Sequence, residues 1–229
     1  MPMYYYDATY VLVLVGAIIC MIASANVNRT YKKYSKHGNA GNYTACQVAA
    51  QILRNAGIYD VSIEHVRGDL TDHYDPKAKV LRLSDSVYHS SSVAAIGVAA
   101  HECGHAIQDQ VNYAPIRVRN AIVPVVNFSS KFSWVLIVAG LIFSLSGLVN
   151  LGVILFVAVV IFQLVTLPVE FDASRRALRI LEGDGILYGE EISGARKVLT
   201  AAALTYVAAT VNALLQLLRL VLISRRSND

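Results

Sequence analysis

From Phe132 to Val169 the chain runs for 38 positions without one charged side chain. A stretch this apolar belongs in hydrocarbon, where a helix of about 20 residues crosses the bilayer core and satisfies its own backbone. The run is too long for one crossing and long enough for two. The segment Ser144-Leu-Ser-Gly-Leu-Val-Asn150 supplies the break. The expected form is a hairpin over 127–168, with helices at roughly 127–147 and 150–168. Lys131 stands at the start of the first, and Arg175, Arg176 and Arg179 follow the second. Cationic residues gather on the cytoplasmic side, so the tip of the hairpin is expected outside.

A second uncharged run, Tyr10 to Ala25, is led by Tyr4-Tyr5-Tyr6 and reads as a transmembrane helix over 8–25. A cleavable leader would carry its positive charge before the run. Here Arg29, Lys32, Lys33 and Lys36 come after it. The N-terminus is therefore expected outside, and the region 26–126 in the cytoplasm. A last apolar helix is expected over 197–223, spanning the membrane or lying in its interface. Thr205, Asn212, Gln216 and Arg219 fall on one narrow stripe of it, which should face protein or water rather than lipid.

The net charge of +4 is spread among apolar runs, so no nucleic-acid surface is expected. Cys20, Cys46 and Cys103 show no paired spacing and are odd in number, which argues against a disulfide framework.

Within 26–126, Thr44 to Gly57 reads as an amphipathic packing helix with Ala45, Val48, Ala49, Ile52, Leu53 and Ala56 on its apolar face. Val61 to Val66, Leu70 to Asp75 and Lys79 to Leu83 read as short strands of a small antiparallel sheet, with turns at Gly68 and Asp75-Pro76. Lys79 to Leu83, which leads toward the next helix, is the strand expected to pair with an extended substrate.

That next helix begins at Ser90-Ser91-Ser92, which can cap it, and continues through Ala- and Gly-rich sequence to His101-Glu-Cys-Gly-His105. Histidines four residues apart share a helix face and can hold one zinc ion. Glu102 lies about 100° round from His101, near such a metal but not bound to it. This is where a general base acting on zinc-activated water belongs. Cys103 is read as a small buried residue. His65, His73 and His89 lack partners at ligand spacing and are not expected to bind metal.

A catalytic zinc site usually has three protein ligands. The best source of the third is Val169-Glu-Phe-Asp-Ala-Ser-Arg-Arg-Ala-Leu178, expected within a helix and turns over 169–196. On a helix Glu170 shares a side with Ala173, Ser174 and Ala177, whose small size would allow close approach to the Ala- and Gly-rich helix. Asp172 points some 200° away from Glu170, toward Arg175, Arg176 and Arg179. The other reading of the segment is a charged juxtamembrane face, in which both carboxylates balance those arginines.

The segments His101-Glu-Cys-Gly-His-Ala-Ile-Gln108, Leu70-Thr-Asp-His-Tyr-Asp-Pro76 and Glu170-Phe-Asp-Ala-Ser-Arg-Arg-Ala177 together resemble the YugP-type membrane zinc metallopeptidases. The likeness covers most of the chain after Gly41. More distantly the chain is similar to the HtpX and CAAX prenyl protease group, whose third ligand is the Glu of an E-[FY]-x-A-D segment. The resemblance implies His101, His105 and Glu170 as zinc ligands and Glu102 as catalytic base. The pattern departs at its last position, where Ser174 stands in place of Asp.

The expected fold is an α+β integral membrane protein: a mainly helical, zincin-like catalytic domain with a small antiparallel sheet, plus three or four membrane-embedded helices. The expected function is zinc-dependent hydrolysis of peptides or membrane proteins at the cytoplasmic surface of the cell membrane, with Zn2+ as cofactor and the lipid bilayer as surroundings. Tyr206 and Arg176 are candidate oxyanion donors. A zinc-stabilised membrane scaffold or chaperone-like binder without turnover is the alternative. Glu102 speaks against it, because structure alone needs no carboxylate at that position. A transporter component fits less well, since the crossings carry little charge.

Overall fold

A computed structural model of the chain describes residues 9–228. Tyr4-Tyr5-Tyr6 and Ala8, at the start of the first expected span, lie outside the described residues. The elements in order are α1 (Tyr10–Tyr34), α2 (Ala45–Asn55), β1 (Ser62–Val66), β2 (His73–Asp75), β3 (Val80–Ser84), α3 (Val93–Gln110), α4 (Ala114–Ile142), α5 (Ser146–Gly183) and α6 (Glu190–Asn228). Among them α1, α4, α5 and α6 are long and apolar enough to cross a membrane. The protein is thus an α+β membrane protein.

The chain divides into two compact units, and α1, α4, α5 and α6 each contribute to both. The first unit takes residues up to Ala23, Val118–Thr166 and the chain from Thr205 onward. Its buried residues include Ile137, Phe156, Val160, Ala213 and Leu220. Small residues set how closely its helices approach. A Cβ at Gly152 would stand 2.9 Å from the Ser133 carbonyl oxygen, while Ser133 Oγ donates to the Gly152 carbonyl at 2.8 Å. Two residues of the polar stripe on α6, Asn212 and Arg219, face protein. Asn212 packs on Gly16, where there is no room for a Cβ, and the Arg219 guanidinium lies 4.2 Å from the centre of the Tyr10 ring.

The second unit takes Ser24–Arg117 and Leu167–Leu204. Its core joins Val48, Ile52 and Leu53 of α2, Leu81 and Leu83 of β3, Ile96, Ala99 and Cys103 of α3, and Ala177 and Leu181 of α5. Local sequence sets the helix starts. Thr44 and Gln47 form a reciprocal capping box on α2. Ser92 Oγ accepts the Ala95 N–H at 3.2 Å and begins α3, as the serine cluster suggests.

The structure differs from the sequence reading in several places. The sheet is mixed, in the order β1-β3-β2: β2 and β3 are antiparallel, but β1 and β3 are parallel. Alternation marks which residues are half-buried but not which strand they meet, so it does not distinguish the two pairings. Because β3 is the central strand, Lys79–Leu83 has no free edge for a substrate.

Only a short turn separates α3 from α4. Asn112 takes φ +52° and α4 begins two residues later, with Pro115 in its first turn, where the missing N–H costs least. The expected boundary between 168 and 169 is absent: α5 continues through Pro168, so Glu170 and the hairpin's second arm belong to one helix. The break between α4 and α5 lies at 143–145, and α6 starts at Glu190, ahead of the expected 197.

Candidate metal centre

The second unit brings together His101, His105 and Glu170, with one ligand atom from each lying within 4.8 Å of the others. His101 and His105 stand one turn apart on α3, their rings 4.7 Å apart and nearly perpendicular. Glu170 arrives from α5. Its Oε2 lies 3.2 Å from His101 Nε2 and 3.5 Å from His105 Nε2. Only 2 % of Glu170 is exposed.

Close helix approach makes this possible. A Cβ on Gly104 would fall 2.6 Å from the carbonyl oxygen of Ala173, and Ala173 and Ala177 are fully buried. The small residues expected to let the two helices meet do so at this point. Gly104→Ala forces backbone against backbone and should destabilise the protein by about 1–3 kcal/mol. Thermal unfolding in detergent measures this, and an unchanged midpoint would mean that the helices separate freely.

The far nitrogens of both imidazoles are occupied. Gln108 Nε2 donates to the Val169 carbonyl at 2.8 Å and to Asp172 Oδ2 at 3.0 Å. That fixes its amide orientation and leaves Oε1 facing His105 Nδ1 at 3.0 Å. An acceptor there requires Nδ1 to carry a proton, so Nε2 is the nitrogen turned toward Glu170. Ser174 Oγ lies 3.1 Å from His101 Nδ1 and can accept its proton in the same way. Serine thus reaches the histidine from the last position of the Glu170–Ser174 segment.

Burial pulls the His105 pKa down, but its hydrogen bond to Glu170 and the charge of Glu102 outweigh that, and the net shift is upward. A metal ion would compete with that proton.

These residues fit a zinc ion. Tetrahedral zinc with bonds of about 2.0–2.1 Å sets its ligand atoms roughly 3.3 Å apart. The two Nε2-to-Oε2 separations, 3.2 and 3.5 Å, bracket that value. The outer hydrogen bonds that hold ligating histidines in one tautomer are also in place.

Glu102 stands apart from the three, and its Oε2 accepts the backbone N–H of Tyr74 on β2 at 3.1 Å. Tyr74 is tied down again through its hydroxyl, which donates to Asp109 Oδ2 at 2.9 Å, while Lys79 Nζ meets the same oxygen at 2.8 Å. Burial together with the Asp109 carboxylate pushes the Tyr74 hydroxyl up to about 12.

Asp172 is not simply a surface partner of the arginines. It accepts from Arg176 Nε at 2.6 Å and also holds Gln108. Arg176 is occupied by that contact and lies 5.7 Å from the centre of the Tyr113 ring. Tyr206 belongs to the first unit rather than to the unit with the histidines. His65 pairs with Asp85 at 2.7 Å, His73 lies beside Thr71 and Arg82, and neither joins the cluster; nor does His89. Cys103 is fully buried and points to the Ala49 carbonyl at 3.7 Å; burial raises its thiol pKa far above the ordinary range. Gln108 and the Tyr74 N–H are supports that the motif spacing did not single out. A Gln three residues after the second histidine was the available signal for the first.

Comparison with known proteins agrees with this chemistry. A family model described as "Putative neutral zinc metallopeptidase" matches residues 9–225. The chain is 47% identical over 207 residues to the "Putative membrane protease YugP" of Bacillus subtilis (strain 168), covering 90% of this chain and 92% of that one. No solved structure matches. With the match running almost from end to end, the chain belongs to the family described as putative neutral zinc metallopeptidases.

Proposed function

We propose that the protein is a membrane-bound zinc endopeptidase in which His101, His105 and Glu170 hold the metal and Glu102 is the general base. The observation that carries this is the pair of Nε2 atoms facing one buried carboxylate oxygen, each ring held from behind by Gln108 or Ser174. When bound there, zinc supplies Lewis acidity that polarises a peptide carbonyl and acidifies water. Glu102 contributes the proton traffic. Tyr74 N–H occupies its Oε2, and no hydrogen bond among the described residues claims Oε1. Oε1 therefore takes the proton from the attacking water and returns it to the leaving amine.

The test is purification in detergent, metal analysis, and cleavage of casein or peptides with and without chelator. About one zinc per chain and chelator-sensitive cleavage are expected. A stoichiometric zinc site with no cleavage of any substrate tried would favour the scaffold reading instead.

The cytoplasmic orientation rests on Arg29, Lys32, Lys33 and Lys36, which follow the uncharged run of α1. In a cysteine-free background, Lys36→Cys should resist a membrane-impermeant thiol reagent applied to intact cells, and Gly147→Cys should react. The opposite labelling pattern would reverse the topology.

A further inference from the structure

Within the second unit, the last turns of α1 and the first turns of α6 line an open cavity of about 450 Å³. Four of its ten lining residues are Arg29, Lys33, Arg196 and Lys197, and none is acidic. The Lys33 and Lys197 ammonium groups both approach the Tyr34 ring, at 5.4 and 5.9 Å from its centre. Arg196 has one exposed partner, Glu182, at 3.9 Å. The adjoining cavity shares Lys33 and Lys197 and carries Glu190 and Glu191 in its lining, Glu191 accepting from the N–H groups of Ala40 and Tyr188. Four like charges therefore share a site that has no carboxylate in its own lining, the acidic groups standing in the adjoining cavity and beside Arg196. An anion between them would remove that repulsion.

The surroundings indicate which anion. From Tyr10 to Asn28 α1 carries no charged residue, and Arg29 is the first one after that run. On α6, Lys197 is the last charge before 21 uncharged residues, Val198 to Leu218, or about 31 Å of helix. That length matches the hydrocarbon core of a bilayer. The cations of the cavity thus stand at the ends of both apolar runs, where a bilayer spanned by these helices would place its phosphates. The same cavity extends onto Ala201 and the exposed Leu204, an apolar wall that suits the start of an acyl chain. A soluble anion would have no use for that wall.

We infer that this cavity is a binding site for the headgroup of an anionic phospholipid, with the phosphate held among Arg29, Lys33 and Lys197 and the glycerol end against Ala201 and Leu204. The site is separate from the metal centre and does not depend on the peptidase reading.

The full chain, purified in detergent, would be titrated with phosphatidylglycerol or phosphatidylcholine and observed by native mass spectrometry. Phosphatidylglycerol should bind at least about 10-fold more tightly, since each cation near a lipid surface contributes about 1 kcal/mol. The double substitution Arg29→Gln/Lys197→Gln should weaken phosphatidylglycerol by roughly 30-fold and leave phosphatidylcholine unchanged. Arg29→Lys/Lys197→Arg, which keeps the charge, should retain binding. Equal affinity of the unsubstituted protein for the two lipids would overturn the proposal, and that comparison stands even if the double variant fails to fold. Retained phosphatidylglycerol binding in a folded double variant would overturn it as well. Displacement of the lipid by millimolar inorganic phosphate would identify a soluble-anion site and reject the lipid assignment.

Discussion

Glu102→Gln is expected to give a folded protein that holds zinc and has lost about 10²- to 10⁴-fold of its peptidase activity. The replacement is close to isosteric. The Gln oxygen can still accept the Tyr74 N–H that now meets Glu102 Oε2, so β2 and α3 should stay in register. The amide cannot take a proton from water. Glu102 also lies outside the group of possible ligand atoms formed by His101, His105 and Glu170, so metal content should not follow activity down. Metal analysis and a cleavage assay on the same preparation separate the two roles. A folded variant without zinc would make Glu102 a ligand, and one with near-normal cleavage would remove it from the chemistry.

Glu170→Gln should act the other way, losing the metal first and activity with it. The carboxylate is buried between two imidazoles and is the only negative charge in the three-residue set. A neutral amide is a poor zinc ligand, so affinity should fall by more than the roughly 10- to 100-fold typical of outer hydrogen-bond partners. Asp172→Asn provides the contrast within the same helix. Asp172 touches Gln108, which in turn holds His105, so its loss should weaken zinc by about 10-fold without abolishing binding. Competition with a chromogenic chelator measures both. If Asp172→Asn stripped the zinc and Glu170→Gln kept it, the ligand assignment would have to be exchanged.

What the sequence disclosed about this site was local. Four-residue spacing placed His101 and His105 on one face, three serines announced the start of α3, and Ala173 and Ala177 pointed to a close helix contact. Those features depend on one helix at a time. The supports of the site do not. Gln108 reaches Val169 and Asp172 on another helix, and Glu102 is held by a backbone N–H 28 residues earlier in the chain. A backbone donor has no residue type, so nothing in the letters at Tyr74 could announce it. Strand order was hidden for a related reason. Ile63 and Leu81 pair in parallel across a connection that includes β2, and the alternation of each strand would be the same in either direction. The helix expected to end at 168 runs on through Pro168: a missing N–H usually ends a helix in water, whereas in an apolar segment the rest of the ladder has no competing solvent.

Cys103 sits between the two histidines in sequence and behind them in space, with its sulfur turned to the Ala49 carbonyl in the core of the second unit. A donor set of two imidazoles and a carboxylate is therefore made of nitrogen and oxygen only. Soft ions such as copper(I), which favour thiolate, gain no advantage from the sulfur that the motif carries. Oxidants and alkylating agents, which attack exposed thiolates, find neither exposure nor charge at that position.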